Sequence, residues 1–139
     1  MLYMLDTNTV SYLVQKRSAK LKTHIDRIVG RDRLAVSVIT EAEMRYGIAL
    51  KPEAFRLARE IEFVLAGLDI LPWTSEVAAA YGDLRATNRK RGLAVGNLDL
   101  LIAAHSLAVR ATLVTSDAAI SKLVGGPITV NWATDLRLN

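Results

Sequence analysis

Four carboxylates, Asp6, Glu43, Asp99 and Asp117, have the types and positions to do chemistry together. Asp6 directly follows Leu2-Tyr3-Met4-Leu5, and Asp117 follows Ala111-Thr112-Leu113-Val114-Thr115; both runs read as buried strands. Glu43 falls in the first turn of a predicted helix after a second strand, and Asp99 in the first turn of one before the fourth. Ligands of open parallel sheets collect outside the carboxyl ends of the strands. Two strand ends and two helix starts can therefore bring all four acids to one edge. Two unit charges about 4 Å apart repel by roughly 4 kcal/mol at an effective dielectric of about 20. Protonation or a divalent cation relieves that repulsion. Oxygen donors without His or Cys suit Mg²⁺ or Mn²⁺, and such a site can activate water against a phosphodiester. Each acid also has an ordinary reading as a helix cap, a turn residue or a partner of the helix dipole. Charge spacing alone points to a metal site and no further.

The elements that would position these acids alternate along the chain. Thr7 to Gln15 reads as a helix start, and Lys16 to Val29 as a basic amphipathic segment. Gly30 to Arg33 is a turn, and Leu34 to Val38 a second strand. Thr40, three residues before Glu43, has the spacing of a capping box on a helix towards Leu50. Pro52 suits the first turn of a helix from Glu53 to Ala66. Leu68 to Leu71 is a third strand, stopped by Pro72. Glu76 to Arg89 is helical, with Val77, Ala80, Tyr81 and Leu84 on one face. After the Gly92–Gly96 loop, Asn97 is predicted to cap a helix carrying Leu98, Leu101, Ile102, His105 and Ala108. Ile128 to Val130 is a fifth strand. This alternation predicts an α/β domain over residues 1–139, with a mostly parallel sheet and helices on both faces.

Composition excludes other chemistries. With 51% apolar and 23% charged residues, 139 residues can bury one sizeable core. The chain has 0 cysteines, which removes disulfides, thiolate metal sites and a cysteine nucleophile. Its 2 histidines cannot make a three-histidine site. The net charge of +4 leans weakly towards a polyanionic partner. Asp6 interrupts any signal-peptide core, and no apolar run is long enough for a membrane span, so a cytoplasmic protein is expected.

Four segments occur in order: Leu5-Asp6-Thr7-Asn8, Ser37 to Gly47, Asp99 to His105, and Leu113-Val114-Thr115-Ser116-Asp117. Together, with Trp132 near the C-terminus, they resemble the successive motifs of PIN-domain nucleases, most closely the VapC toxins of bacterial toxin–antitoxin pairs. The resemblance implies a three-layer α/β/α domain with about five strands. It also implies that Asp6 and Asp99 are the main ligands of Mg²⁺ (or Mn²⁺), that Glu43 completes the site directly or through water, and that Asp117 holds a second metal or waters. Thr7, Asn8 and Thr115 would orient these groups from behind. Glu41, two residues from Glu43, is turned about 200° away on a helix and is expected in solvent or facing a partner. Ser121 to Pro127 departs from the family pattern in lacking the aromatic residue common after Thr-x-Asp.

The implied reaction is hydrolysis of an RNA phosphodiester, in a transfer RNA or a ribosomal RNA, leaving a 3′-hydroxyl and a 5′-phosphate. Arg85, Arg89, Lys90 and Arg91 precede the loop leading to Asp99 and are candidates for phosphate binding, or a solvated helix end. Lys16, Arg17, Lys20 and Lys22 read as a solvated face first and an RNA edge second, and His105, Trp73 and Trp132 as packing residues. The implied partners are a small VapB-like antitoxin and a second copy of the chain. Helices Lys16–Val29 and Glu53–Ala66 are candidates for the antitoxin groove, and Thr40–Leu50 and Glu76–Arg89 for the dimer contact. A haloacid-dehalogenase-type phosphotransferase fits poorly, because Asn8 stands where its general acid belongs. A receiver domain fails because it needs two acids at the end of the first strand. The remaining alternative is a catalytically silent RNA-binding or regulatory module of the same fold.

Overall fold

The computed structural model describes residues 1–16 and 18–135, so Arg17 of the basic stretch lies outside the described residues. Five parallel strands, β1 (Leu2–Leu5), β2 (Arg33–Ser37), β3 (Asp69–Leu71), β4 (Thr112–Val114) and β5 (Thr129–Val130), form one sheet in the order β3-β2-β1-β4-β5. β1 is central, with Met4 in register with both Ala35 and Leu113. The chain moves outward from β1 to β3, then crosses back to β4. The strand order thus reverses between β1 and β4, where an open α/β sheet leaves its ligand crevice. Asp6 follows one of these strands and Asp117 the other.

Both faces of the sheet are covered, which is why its strands read as continuous apolar runs. On one face lie α1 (Thr7–Val14), α2 (Ala19–Ile28) and α4 (Phe55–Ala66). They bury Val10, Val14, Leu21, Ile28, Ile61 and Leu65 against Leu5, Val36 and Val114. On the other lie α5 (Ser75–Asn88), α6 (Asn97–Ala108) and the short α7 (Ala118–Ser121). They bury Leu84, Ile102, Ala103 and Ile120 against Met4 and Leu113. Successive residues of a strand point to opposite faces: Met4 and Leu113 serve one layer, Leu5 and Val114 the other. α3 (Val38–Leu50) leaves the carboxyl end of β2, and α8 (Trp132–Asp135) follows β5. Among the described residues no helix is long and apolar enough to cross a membrane.

Three predicted helix starts are corrected. Ser37, not Thr40, caps α3, its hydroxyl accepting from the Ile39 amide at 3.1 Å. Glu43 therefore belongs to the second turn. Gly96, not Asn97, occupies the cap position of α6. α4 begins at Phe55 rather than in the Pro52 turn, because the Ala54 amide closes that turn onto the Lys51 carbonyl at 2.9 Å.

Candidate active site

Asp6 combines the two readings open to it. It caps α1, with Oδ1 accepting from the Thr9 amide at 2.8 Å and the Thr9 hydroxyl at 2.7 Å. Its own amide extends the sheet onto the Val114 carbonyl at 3.1 Å. The residue is 3% exposed, and Oδ2 carries none of these bonds. One oxygen thus fixes the carboxylate at a helix N-terminus, where negative charge is favoured, and the other stays open to a ligand.

Glu43 is held from behind by a relay. The Thr7 hydroxyl donates to its Oε1 at 2.7 Å and lies 3.2 Å from the Thr40 hydroxyl. Thr7 has one proton, given to Glu43, so Thr40 donates to Thr7. Thr40 is completely buried. It is therefore part of the support for Glu43 rather than the cap its spacing predicted. Asp117 caps α7, accepting from the Ala119 amide at 2.9 Å, while its own amide donates to the Thr115 hydroxyl at 3.1 Å.

Asp99, in the first turn of α6, joins the set through its electrostatics. Burial raises the pKa of its carboxyl above the usual value, and the charges of Asp117, Asp6 and Glu43 raise it further. All four acids share one field. Among the described residues, no three acidic or imidazole side chains are gathered closely enough to hold a metal by themselves. The donor set is all oxygen, with Asp6, Glu43 and Asp117 each anchored from behind by a hydroxyl or an amide. It fits a hard divalent cation such as Mg²⁺, which keeps several water ligands and needs few carboxylates. It does not fit a soft metal.

Of the three residues expected to orient the acids, Thr7 donates to the Glu43 carboxylate, Thr115 accepts from the Asp117 backbone amide, and Asn8 makes no hydrogen bond to any of the four acids; its neighbour Thr9 does. Sequence reasoning missed Thr9 and Thr40. A hydroxyl three residues after a capping Asp was the available signal for Thr9. Thr40 had none, because its partner is 33 residues away.

Glu41 is turned away from the site, but its partner lies within the chain. Arg45 donates to it from Nε at 3.1 Å and also reaches Glu62 of α4. His105 is a core histidine, with Nδ1 2.7 Å from the Ser37 hydroxyl and its ring edge-on to Trp73. Trp132 is also a core residue, packed between Tyr3 and His24.

The basic cluster divides. Arg85 donates to the Tyr81 hydroxyl at 2.8 Å. Arg89 is the C-cap of α5, so it and the exposed Lys90 and Arg91 begin the connection to α6. Among the described residues these last three form no ion pair. Lys16 pairs with Glu60 and Lys22 with Asp26, as a solvated face would.

The PIN-domain family model matches residues 3–125. Ribonuclease VapC2 of Rickettsia felis is 33% identical over 132 residues, covering 95% of this chain and 98% of that protein. The tRNA(fMet)-specific endonuclease VapC of Shigella flexneri is 26% identical, covering 94% of this chain and 98% of its own. Among solved structures, VapBC2 from Rickettsia felis bound to a DNA fragment from its promoter aligns with a TM-score of 0.88 and 31% identity, over 95% of this chain and 99% of that one. Ordered acids on a PIN-type sheet edge and matched relatives of the same length agree: this chain belongs to the PIN-domain family, in its VapC group.

Proposed function

We propose that this protein is a Mg²⁺-dependent endoribonuclease toxin, cutting a transfer RNA or a ribosomal RNA in the cytoplasm and neutralised by a small VapB-like antitoxin. The observation that carries this reading is the convergence of four acids at one sheet edge, where burial raises the Asp99 carboxyl first and the charges of Asp117, Asp6 and Glu43 raise it further. Four acids at the switch point of a parallel sheet cost stability unless a cation answers them.

Asp6 and Asp99 would hold the ion, with Glu43 and Asp117 acting directly or through water. A bound Mg²⁺ supplies Lewis acidity towards a phosphate oxygen and lowers the pKa of a bound water. The chain's own part is positioning. Thr9 locks Asp6, the Thr40–Thr7 relay locks Glu43, and the Ala119 amide locks Asp117, so the carboxylates need little reorganisation. Arg89, Lys90 and Arg91 supply unpaired positive charge for the RNA backbone beside the connection to Asp99. For partners, Phe55 and Phe63 of α4 are 77% and 76% exposed, an apolar surface suited to an antitoxin. Tyr46 and Leu50, four residues apart on α3 and also exposed, suit contact with a second copy of the chain.

The test is cleavage of total small RNA by antitoxin-free protein with Mg²⁺, with EDTA, and with Asp6→Asn, which keeps a capping oxygen. Discrete fragments that need both Mg²⁺ and Asp6 are expected. Fragments made equally by the variant would refute this site. The second reading, an RNA-binding module without catalysis, draws on the acids not being gathered into a closed shell. RNA bound by wild type and variant alike, with none cut, would establish it.

A further inference from the structure

A cavity of about 490 Å³ adjoins the acids, between α1, α2, the end of β4 and α8. That volume lies within the roughly 300–1,000 Å³ typical of small-molecule sites. Thr9 and Thr115 line it, and they are also the residues whose hydroxyls bond Asp6 and the Asp117 amide. The cavity and the acid site therefore share a wall. Leu21, Val114 and Trp132 give it an apolar surface. Asn8 and Ser11 of α1 and its C-cap residue Gln15, at helical spacing, give it polar groups. Among the described residues, none of these three side chains is hydrogen-bonded within the chain, and no charged side chain lines the cavity.

We infer that this cavity is a base-reading subsite, which takes one unpaired nucleobase of the RNA next to the phosphate being cut. The inference rests on the ribonuclease reading for its source of bases. A phosphate or carboxylate would find no cation here, whereas a nucleobase is flat, uncharged and rimmed by donors and acceptors. Sequence-specific RNA recognition splays out unpaired bases, packs their faces and hydrogen-bonds their edges. Amide side chains supply both a donor and an acceptor for such an edge. Leu21, Val114 and Trp132 would pack the base, Asn8, Ser11 and Gln15 would read its edge, and the shared wall would set the adjoining phosphate over Asp6. The cavity would thus help determine where the RNA is cut.

The test has two arms. In EDTA, the four nucleoside 5′-monophosphates and ribose 5-phosphate are titrated into isotope-labelled protein, and the side-chain amide resonances of Asn8 and Gln15 are followed. Shifts are expected with at least one nucleotide and none with ribose 5-phosphate. Affinity for that nucleotide should fall about tenfold in Gln15→Ala, as the removal of one or two hydrogen bonds would give, and binding should vanish in Ser11→Phe, which fills the space. In the second arm, cleavage ends are sequenced for wild type and Gln15→Ala, and the variant should lose preference at one position beside the cut. Amides that ignore every nucleotide, or that respond equally to ribose 5-phosphate, would overturn the subsite, as would an unchanged cleavage preference. If RNA is still cut in that case, the ribonuclease reading survives alone. Base-dependent shifts without cleavage of any RNA would leave a nucleobase site standing and overturn the ribonuclease reading.

Discussion

Thr7 and Glu43 are 36 residues apart in the chain and 2.7 Å apart in the structure, the hydroxyl of one donating to the carboxylate of the other. This bond ties the first turn of α1 to α3 and so couples the ends of β1 and β2. Thr40 completes it from below as donor to Thr7. Removing a group that orients a metal-binding side chain commonly costs about 10–100-fold in metal affinity or activity. Thr7→Val should therefore cut RNA cleavage by that order and raise the Mg²⁺ concentration for half-maximal rate. Thr40→Val should do the same more weakly, because Thr7 keeps its bond to Glu43. Equal Mg²⁺ dependence in wild type and Thr7→Val would show that Glu43 needs no such support.

The raised Asp99 carboxyl sets a stability signature. Between its ordinary pKa of 3.8 and its raised native value, the folded chain binds more protons there than the unfolded chain. Stability contributed by this group therefore falls as pH rises through that window. The penalty is complete above the native pKa and absent below the unfolded one. In metal-free protein, Asp99→Asn should melt at a higher temperature than wild type at neutral pH, the two converging in acid. Added Mg²⁺ should stabilise wild type more than the variant. Calorimetry across pH, with and without Mg²⁺, checks both; a variant that melts lower at neutral pH contradicts the shared field.

His105 predicts a slope of the opposite sign. Burial is the main cause that lowers its pKa from 6.5, and Nδ1 lies 2.7 Å from the Ser37 hydroxyl. As pH falls below 6.5 the unfolded chain takes up a proton that the folded chain resists, so stability drops. His24, lowered first by burial and then by Arg27 and Arg31, contributes with the same sign. Chemical denaturation between neutral and mildly acid pH should show this decline in wild type and a flatter one in His105→Leu. An NMR titration giving His105 an ordinary pKa would remove the basis for it.

Arg89, Lys90 and Arg91 should act on RNA affinity and not on the chemistry. Replacing all three by Gln should weaken binding across unrelated RNAs. The slope of log affinity against log salt should flatten by about 0.7 for each single-strand phosphate that the variant no longer neutralises. Binding isotherms in EDTA at several salt concentrations measure this without cleavage. Unchanged slopes would assign the cluster to solvent.

Glu41 and Glu43 offer a paired control. Glu43→Gln should abolish most cleavage, while Glu41→Gln, which loosens only the exposed link through Arg45 to Glu62, should leave the rate within about twofold. Comparable losses in single-turnover assays would mean that the two faces of α3 are not separate.

The sequence by itself determined the five strands and the longer helices, though not the caps of α3, α4 and α6 or the short α7 and α8. Apolar runs such as Leu2–Leu5 and the spacing of Val77 and Leu84 are local signals, because strand and helix periodicity is written in neighbouring residues. Placing Asp6 behind a strand and Asp99 at a helix start needed nothing more. The tertiary structure decided which hydroxyls support which acids and where the sheet order reverses. Thr40 has the local spacing of a cap, yet Ser37 caps the helix and Thr40 is buried against Thr7 from another element. Thr9 displaces Asn8 as the residue behind Asp6, because the first turn of α1 brings its amide and hydroxyl to the capping oxygen. The cavity shared by α1, β4 and α8 joins residues more than a hundred positions apart. Such contacts depend on how elements pack, and packing is settled by long-range burial rather than by any pattern within one segment.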